Sequence, residues 1–266
     1  MVLSPISPYR LKTIQECGTN LLHFGLRTGL LQRPLIHFYD DRHKTVSLKN
    51  MHIDILTIIP EAVAPYLEAS ILGRASAVGV ELRAVPLRDF AEDKHKVTDD
   101  APFGGGAGMV MKVAPIHKAV EALRNKKTHV ILTSASGKLF TQEDARRLAA
   151  QYEHMIFICG RYEGVDERVE EYIADETFSI GEYVLTGGEL PALVMADAIV
   201  RNVPGVLGND ETLQDESHDA PGQLEYLQYT QPRVYNGWEV PRVLLSGDHG
   251  AIAKWRQEHR KVSDRL

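Results

Sequence analysis

From Met51 onward, short apolar runs rich in β-branched residues alternate with stretches of helical period. This alternation constrains the fold more than any other feature. Strands that are apolar along their whole length are buried on both faces, which requires a parallel sheet covered by helices. Residues 53–59 read as the first such strand. Pro60 and Glu61 open a helix predicted to run through about Ala77. Residues 80–86 read as a second strand, and a polar, Gly-rich stretch follows over 88–111. The pattern then predicts helix 115–124, strand 129–133, helix 141–151, strand 155–159, helix 166–172, strand 176–180 and helix 190–201. The expected class is α/β, a mostly parallel sheet with helices on both faces. In such sheets ligands bind beyond the carboxyl ends of the strands.

The flanks differ from this middle part. Residues 1–50 carry 7 basic and 3 acidic side chains and no sustained period, and they are predicted to be a poorly ordered N-terminal extension. They show no signal-peptide cleavage pattern. Residues 51–208 form the main domain. Residues 209–223, rich in Gly, Asp, Glu, Ser and His, read as a linker. Residues 224–266 read as a short, mainly helical segment whose best helix is 251–261.

Composition narrows the function classes. The net charge is −6, and between Glu163 and Glu225 there are 16 acidic residues against only Arg168 and Arg201. A protein that coats phosphates generically is basic, so nucleic-acid contact here needs local patches or an oligomer that assembles them. The two cysteines, Cys17 and Cys159, support neither a disulfide framework nor a zinc site, which points to a reducing cytoplasmic setting. No apolar run reaches the roughly 18 residues of a membrane helix, so no membrane partner is expected. There is no Gly-x-Ser-x-Gly elbow and no His-Glu-x-x-His pair, and no metal site is predicted.

Three strand ends carry unusual loops: Ser134-Ala135-Ser136-Gly137-Lys138, Gly160-Arg161-Tyr162-Glu163-Gly164-Val165-Asp166, and Gly181-Glu182-Tyr183-Val184-Leu185-Thr186-Gly187-Gly188-Glu189-Leu190-Pro191. Glycine lets bare backbone approach a ligand closely. Three such loops at one sheet edge suit a purine read by backbone donors and acceptors. A fourth cluster, Gly104-Gly105-Gly106-Ala107-Gly108, lacks the Gly-Lys-Ser/Thr ending of a P-loop.

The stretches Cys159–Arg168 and Ser179–Ala192 closely resemble the bacterial tRNA (guanine-N1)-methyltransferase family, TrmD, of the SPOUT class. Asp93-Lys94-His95-Lys96, the Gly104–Gly108 cluster, residues 201–208 and the Tyr229-Thr230-x-Pro232 element are similar to it as well. The resemblance implies a sheet with a trefoil knot, a homodimer whose active sites draw on both chains, and S-adenosyl-L-methionine as cofactor. It implies tRNA as partner, with the methyl group placed on N1 of the guanine immediately 3′ of the anticodon, position 37. By position it implies an adenosyl pocket of Thr133, Ser134, Ala135, Gly160, Tyr162 and Glu163, with Ile180, Gly181, Glu182, Tyr183, Val184, Leu185, Gly187 and Gly188. Glu163 or Glu182 would favour the sulfonium charge. Asp99, Gly104, Gly105 and Gly106 would help hold the target base, and Lys94 and Lys96 would contact phosphate.

Guanine N1 carries a proton that a base must remove, and charge growing on O6 must be stabilised. Arg201 matches the family's arginine. Glu216 stands where the family places an Asp before Ser and is the expected base, with Asp215 and His218 as alternatives. Ala101, Phe103 and Gln231 depart from the family pattern, and the C-terminal tail is shorter. Two other functions remain compatible with these departures: a catalytically impaired tRNA-binding relative, and a SPOUT enzyme acting on another RNA.

Overall fold

The computed structural model describes residues 50–208, 216–218 and 223–262. The expected N-terminal extension and most of the expected linker lie outside the described residues. The chain enters at strand β1 (Met51–Thr57) and continues through short helices α1 (Ala64–Leu67) and α2 (Ser70–Arg74) to β2 (Val80–Pro86). A small hairpin of β3 (Asp99–Asp100) and β4 (Val110–Met111) precedes α3 (Val113–Leu123). Then come β5 (Thr128–Leu139), α4 (Gln142–Gln151), β6 (His154–Cys159), α5 (Arg168–Tyr172), β7 (Glu176–Ser179) and α6 (Glu189–Val200).

The five long strands form one sheet in the order β2-β1-β6-β5-β7, with every pairing parallel. All six residues of β6, at its centre, are buried. Successive side chains of a strand point to opposite faces, and the core divides accordingly. Ile131, Met155 and Phe157 pack with α6 residues such as Met195 and Ile199, and with Leu148 of α4. Val130, Leu132, Ile156 and Ile158 pack with Ile116 and Val120 of α3 and Val169 of α5. Helices therefore cover both faces, as the sequence pattern predicts.

Two differences from the sequence expectation have local causes. The helix predicted from Pro60 to Ala77 is broken into single turns, because Pro65 falls inside it and Ser70 takes a left-handed φ of 51°. At the same break, a Cβ on Gly73 would lie 2.6 Å from the Glu68 carbonyl carbon. The C-terminal segment is mixed rather than mainly helical. It holds β8 (Gln223–Tyr226), β9 (Val234–Tyr235), β10 (Trp238–Glu239), α7 (His249–Glu258) and β11 (Arg260–Val262). Asn236-Gly237, both with positive φ, turn the β9–β10 hairpin, and β11 returns antiparallel to β8. Among the described residues no helix is long and apolar enough to cross a membrane.

Candidate active site

The carboxyl ends of β5, β6 and β7 meet in a cleft of about 300 Å³. Its first wall is a bulge. Thr133 and Lys138 both pair with Phe178 of β7, so residues 134–137 are extruded from a strand that then resumes. The sequence reading takes this stretch as a loop leaving the strand; the renewed pairing at Lys138 corrects that. Gly137 is required where the strand resumes, because a Cβ there would lie 2.7 Å from the Phe178 backbone nitrogen. Ser134 and Ser136 join their hydroxyls across the bulge at 2.8 Å.

The second wall follows β6. Tyr162 takes a left-handed φ of 60° and Gly164 a φ of 128°. The Glu163 N–H donates to the Met109 carbonyl at 3.0 Å, which ties this loop to the glycine-rich segment before β4. The third wall follows β7, where the Gly188 N–H donates to the Gly160 carbonyl at 2.8 Å. Gly188 has an ordinary φ of −83°. What requires glycine there is proximity: a Cβ would strike the Thr133 hydroxyl and lie 2.8 Å from the Gly160 nitrogen.

Of the residues expected to form the adenosyl pocket, Thr133, Ser134, Ala135, Gly160, Tyr162, Glu163, Ile180, Gly181, Tyr183, Val184, Leu185, Gly187 and Gly188 line this cleft. Glu182 does not line it and is exposed. Sequence reasoning missed Leu132, Phe178, Val165 and Pro191, which add apolar surface, and Arg161, the one Lys or Arg in the lining. Glycine backbone at Gly160, Gly181, Gly187 and Gly188 and the side chains of Ile180 and Leu185 give the cleft both polar and apolar walls.

Beneath the third wall, the first residue of α6 is a buried acid. Glu189 is 3% exposed. It accepts from the Thr57 hydroxyl at 2.7 Å and from Arg161 Nε at 2.9 Å. Position N1 of a helix favours a carboxylate through the helix dipole. Burial first, and then the neighbouring Glu189 charge, push the Cys159 thiol well above its ordinary value, while Arg161 opposes this. Cys159 is therefore an inert core thiol.

At the other end of α6, Arg201 Nη2 donates to Glu216 Oε1 at 2.7 Å. The arginine side chain is 33% exposed and the glutamate 18%. The segment 216–218 is held against β8: the Glu225 N–H donates to the Ser217 hydroxyl at 3.0 Å, and the His218 N–H to the Gln223 carbonyl at 2.7 Å. The expected acid–arginine couple is thus one ion pair. At 1.5 Å rise per residue, the twelve steps from Glu189 to Arg201 place it about 18 Å along the helix from the glycine wall. Asp215 lies outside the described residues.

The sequence matches known proteins. The sequence profile described as tRNA (Guanine-1)-methyltransferase TrmD matches residues 51–265. The chain belongs to that family. A relative from Dictyoglomus turgidum named tRNA (guanine-N(1)-)-methyltransferase is 54% identical over 209 residues, covering 78% of this chain and 84% of the relative. Proteins of the same name from Ruminiclostridium cellulolyticum and Staphylococcus epidermidis are 51% and 49% identical, covering 90% and 86% of those relatives and 78% and 80% of this chain. The cleft and the Arg201–Glu216 pair of this TrmD-family chain both fall inside the matched region.

The expected substrate-loop residues sit apart from the cleft lining. Asp99 pairs with Met111 in the β3–β4 hairpin, and Gly104, Gly105 and Gly106 form its exposed tip. The hairpin base meets the cleft through the loop after β6: Gly108 lies against the Glu163 side chain, and the Met111 N–H donates to the Gly164 carbonyl at 3.0 Å. Lys96 donates to Asp89 at 2.8 Å, and Lys94 is exposed.

Proposed function

We propose that this protein transfers a methyl group from S-adenosyl-L-methionine to N1 of the guanine at position 37 of tRNA, acting in the cytoplasm as a homodimer. The observation that carries the reading is the cleft formed by three glycine turns, in a chain about half identical to proteins named for this reaction. The trefoil knot of the SPOUT class belongs to the same proposal. It is supported by the family match and by β5, β6 and β7 converging on one edge.

The bound donor supplies an electrophilic methyl group. The turns at Gly160, Gly181 and Gly187–Gly188 hold its adenosyl part, and Ile180 and Leu185 cover the ring faces. Glu163 is the acid in the lining and would favour the sulfonium charge. The β3–β4 hairpin and Asp99 hold the guanine after it leaves the anticodon-loop stack. Glu216 accepts the N1 proton, and Arg201 stabilises charge on O6. In the substrate-free chain these two groups neutralise each other. Guanine takes the place of that contact, offering N1–H to the carboxylate and O6 to the guanidinium.

The length of α6 supports a two-chain site. One chain holds its Arg201–Glu216 pair about a helix length from its own cleft, so a second copy must bring its pair to that cleft. The exposed Leu190 and Val194, one turn apart on α6, offer apolar surface for this contact. Methyl transfer to tRNA transcripts with guanine or adenine at position 37 tests the chemistry. Only the guanine transcript gains methyl, and the modified atom maps to N1. Transfer to both, or to neither, refutes the reading. Mixing Gly188→Ala chains with Arg201→Ala chains tests the shared site. Random pairing gives half heterodimers with one intact site each, restoring about a quarter of normal activity; no recovery places both functions in one chain.

A further inference from the structure

The donor in the proposed reaction is a cation, yet the one Lys or Arg lining the cleft is Arg161. A fixed positive charge there opposes binding of a sulfonium. The structure sets Glu189 against it. The carboxylate is 3% exposed, does not line the cleft, and has both oxygens engaged, by Arg161 Nε at 2.9 Å and the Thr57 hydroxyl at 2.7 Å. Thr57 is itself fully buried at the end of β1, and its hydroxyl also accepts from the Ile59 N–H at 3.0 Å. The pair lies directly under the third wall. A Cβ on Gly187 would run into both Arg161 Nε and Glu189 Oε2.

We infer that Glu189 is a positioning and charge-balancing residue of the donor cleft: it holds Arg161 beneath Gly187 and cancels its charge, so that the cleft accepts a cationic donor. The inference rests on the reading that this cleft holds S-adenosyl-L-methionine. Two roles are joined in one carboxylate. The first is geometric, because the Thr57–Glu189–Arg161 chain of contacts joins β1, the loop after β6 and the start of α6. The second is electrostatic, because an uncompensated arginine at the wall of a partly dry cleft acts on a bound charge far more strongly than in water. Thr57 contributes only to the first role.

The two roles separate by ligand. S-adenosylhomocysteine has the same adenosyl and amino-acid parts without the sulfonium charge. Calorimetric titration of the full-length protein with both ligands is the test. The wild type binds both. Glu189→Gln keeps the shape of the side chain and leaves Arg161 unbalanced, so S-adenosyl-L-methionine weakens about tenfold and S-adenosylhomocysteine about twofold or less. Adding Arg161→Met to Glu189→Gln returns the ratio of the two affinities toward the wild-type value. Thr57→Val weakens both ligands by a similar small factor, and Thr57→Ser restores them. Equal losses for both ligands in Glu189→Gln, or no loss, overturn the inference. A Glu189→Gln protein that fails to fold shifts the decision to Arg161→Met alone, which favours S-adenosyl-L-methionine over S-adenosylhomocysteine relative to wild type; an unchanged ratio there overturns it equally. Absence of binding by the folded wild type refutes the donor reading instead, which keeps the two failures distinct.

Discussion

The two edges of the same parallel sheet are built on opposite plans. At the carboxyl edge, the bulge in β5 and the glycine-rich turns after β6 and β7 surround a cleft. Toward the amino edge, polar side chains form a buried network among the apolar ones. Asp54 of β1 is fully buried and accepts from Arg83 of β2 through Nε at 2.8 Å and Nη2 at 3.0 Å. His52 Nε2 lies 2.9 Å and His154 Nε2 3.2 Å from its two oxygens. The far nitrogen of His154 is engaged by the Thr128 hydroxyl at 2.7 Å. His52, Asp54 and His154 are residue types that bind metals, and their ligand atoms lie within 4.8 Å of one another. Arg83 already grips both oxygens of the carboxylate, so the network is closed on itself. A saturated polar cluster fixes a fold; an open cleft is what a ligand can use.

The sharpest way to break this contrast is to add one methyl group at the open edge. In Gly188→Ala the new Cβ meets the Thr133 hydroxyl, the Gly160 nitrogen and the Cys159 Cα, which are backbone or buried atoms with little room to move. The third wall must then withdraw from β6. Donor affinity falls at least about a hundredfold, while the sheet and its melting transition persist. Calorimetric titration beside a thermal melt checks both halves. Retained donor binding would show that the wall tolerates movement and that close approach at Gly188 is not what shapes the cleft.

The sheet was legible from sequence because its signal is local. Apolar runs marked β1 and β6, and β2 and β7 were also placed to within a few residues, while glycine marked two of the three loops correctly as strand-end turns. The third, 134–137, was not legible as a bulge, since the resumed pairing of Lys138 with Phe178 depends on a strand forty residues away. The Thr57–Arg161–Glu189 network was hidden for the same reason: its members are brought together only by the closed sheet. One local signal did exist, an acid placed directly after Gly187-Gly188 at the head of a mostly apolar helix. The Arg201–Glu216 contact had no local signal, because residues fifteen apart met only through the folding of 216–218 onto β8.

A smaller effect tests the closed edge. Asp54→Asn keeps the shape of the side chain, removes the charge facing Arg83, His52 and His154, and turns an acceptor into a donor. With a fully buried carboxylate, the loss of stability near neutral pH is about 2 kcal/mol, and donor affinity stays within about twofold. The pH dependence gives the sign. Burial raises the Asp54 pKa, but hydrogen bonds from His154, His52 and Arg83 together outweigh it and hold the carboxyl far below its ordinary value near 3.8. A group whose folded pKa is depressed contributes stability that is fully present above its unfolded value and disappears as the pH falls toward the folded one. The gap between wild type and variant is therefore widest above about pH 5 and narrows below about pH 4. Denaturant melts of the two proteins from pH 7 to pH 3 measure that gap directly. A gap that stays constant on acidification would mean that Asp54 binds protons alike in the folded and unfolded chains. Its contacts with Arg83, His52 and His154 would then favour neither ionisation state, and the contrast in charge between the two edges would vanish.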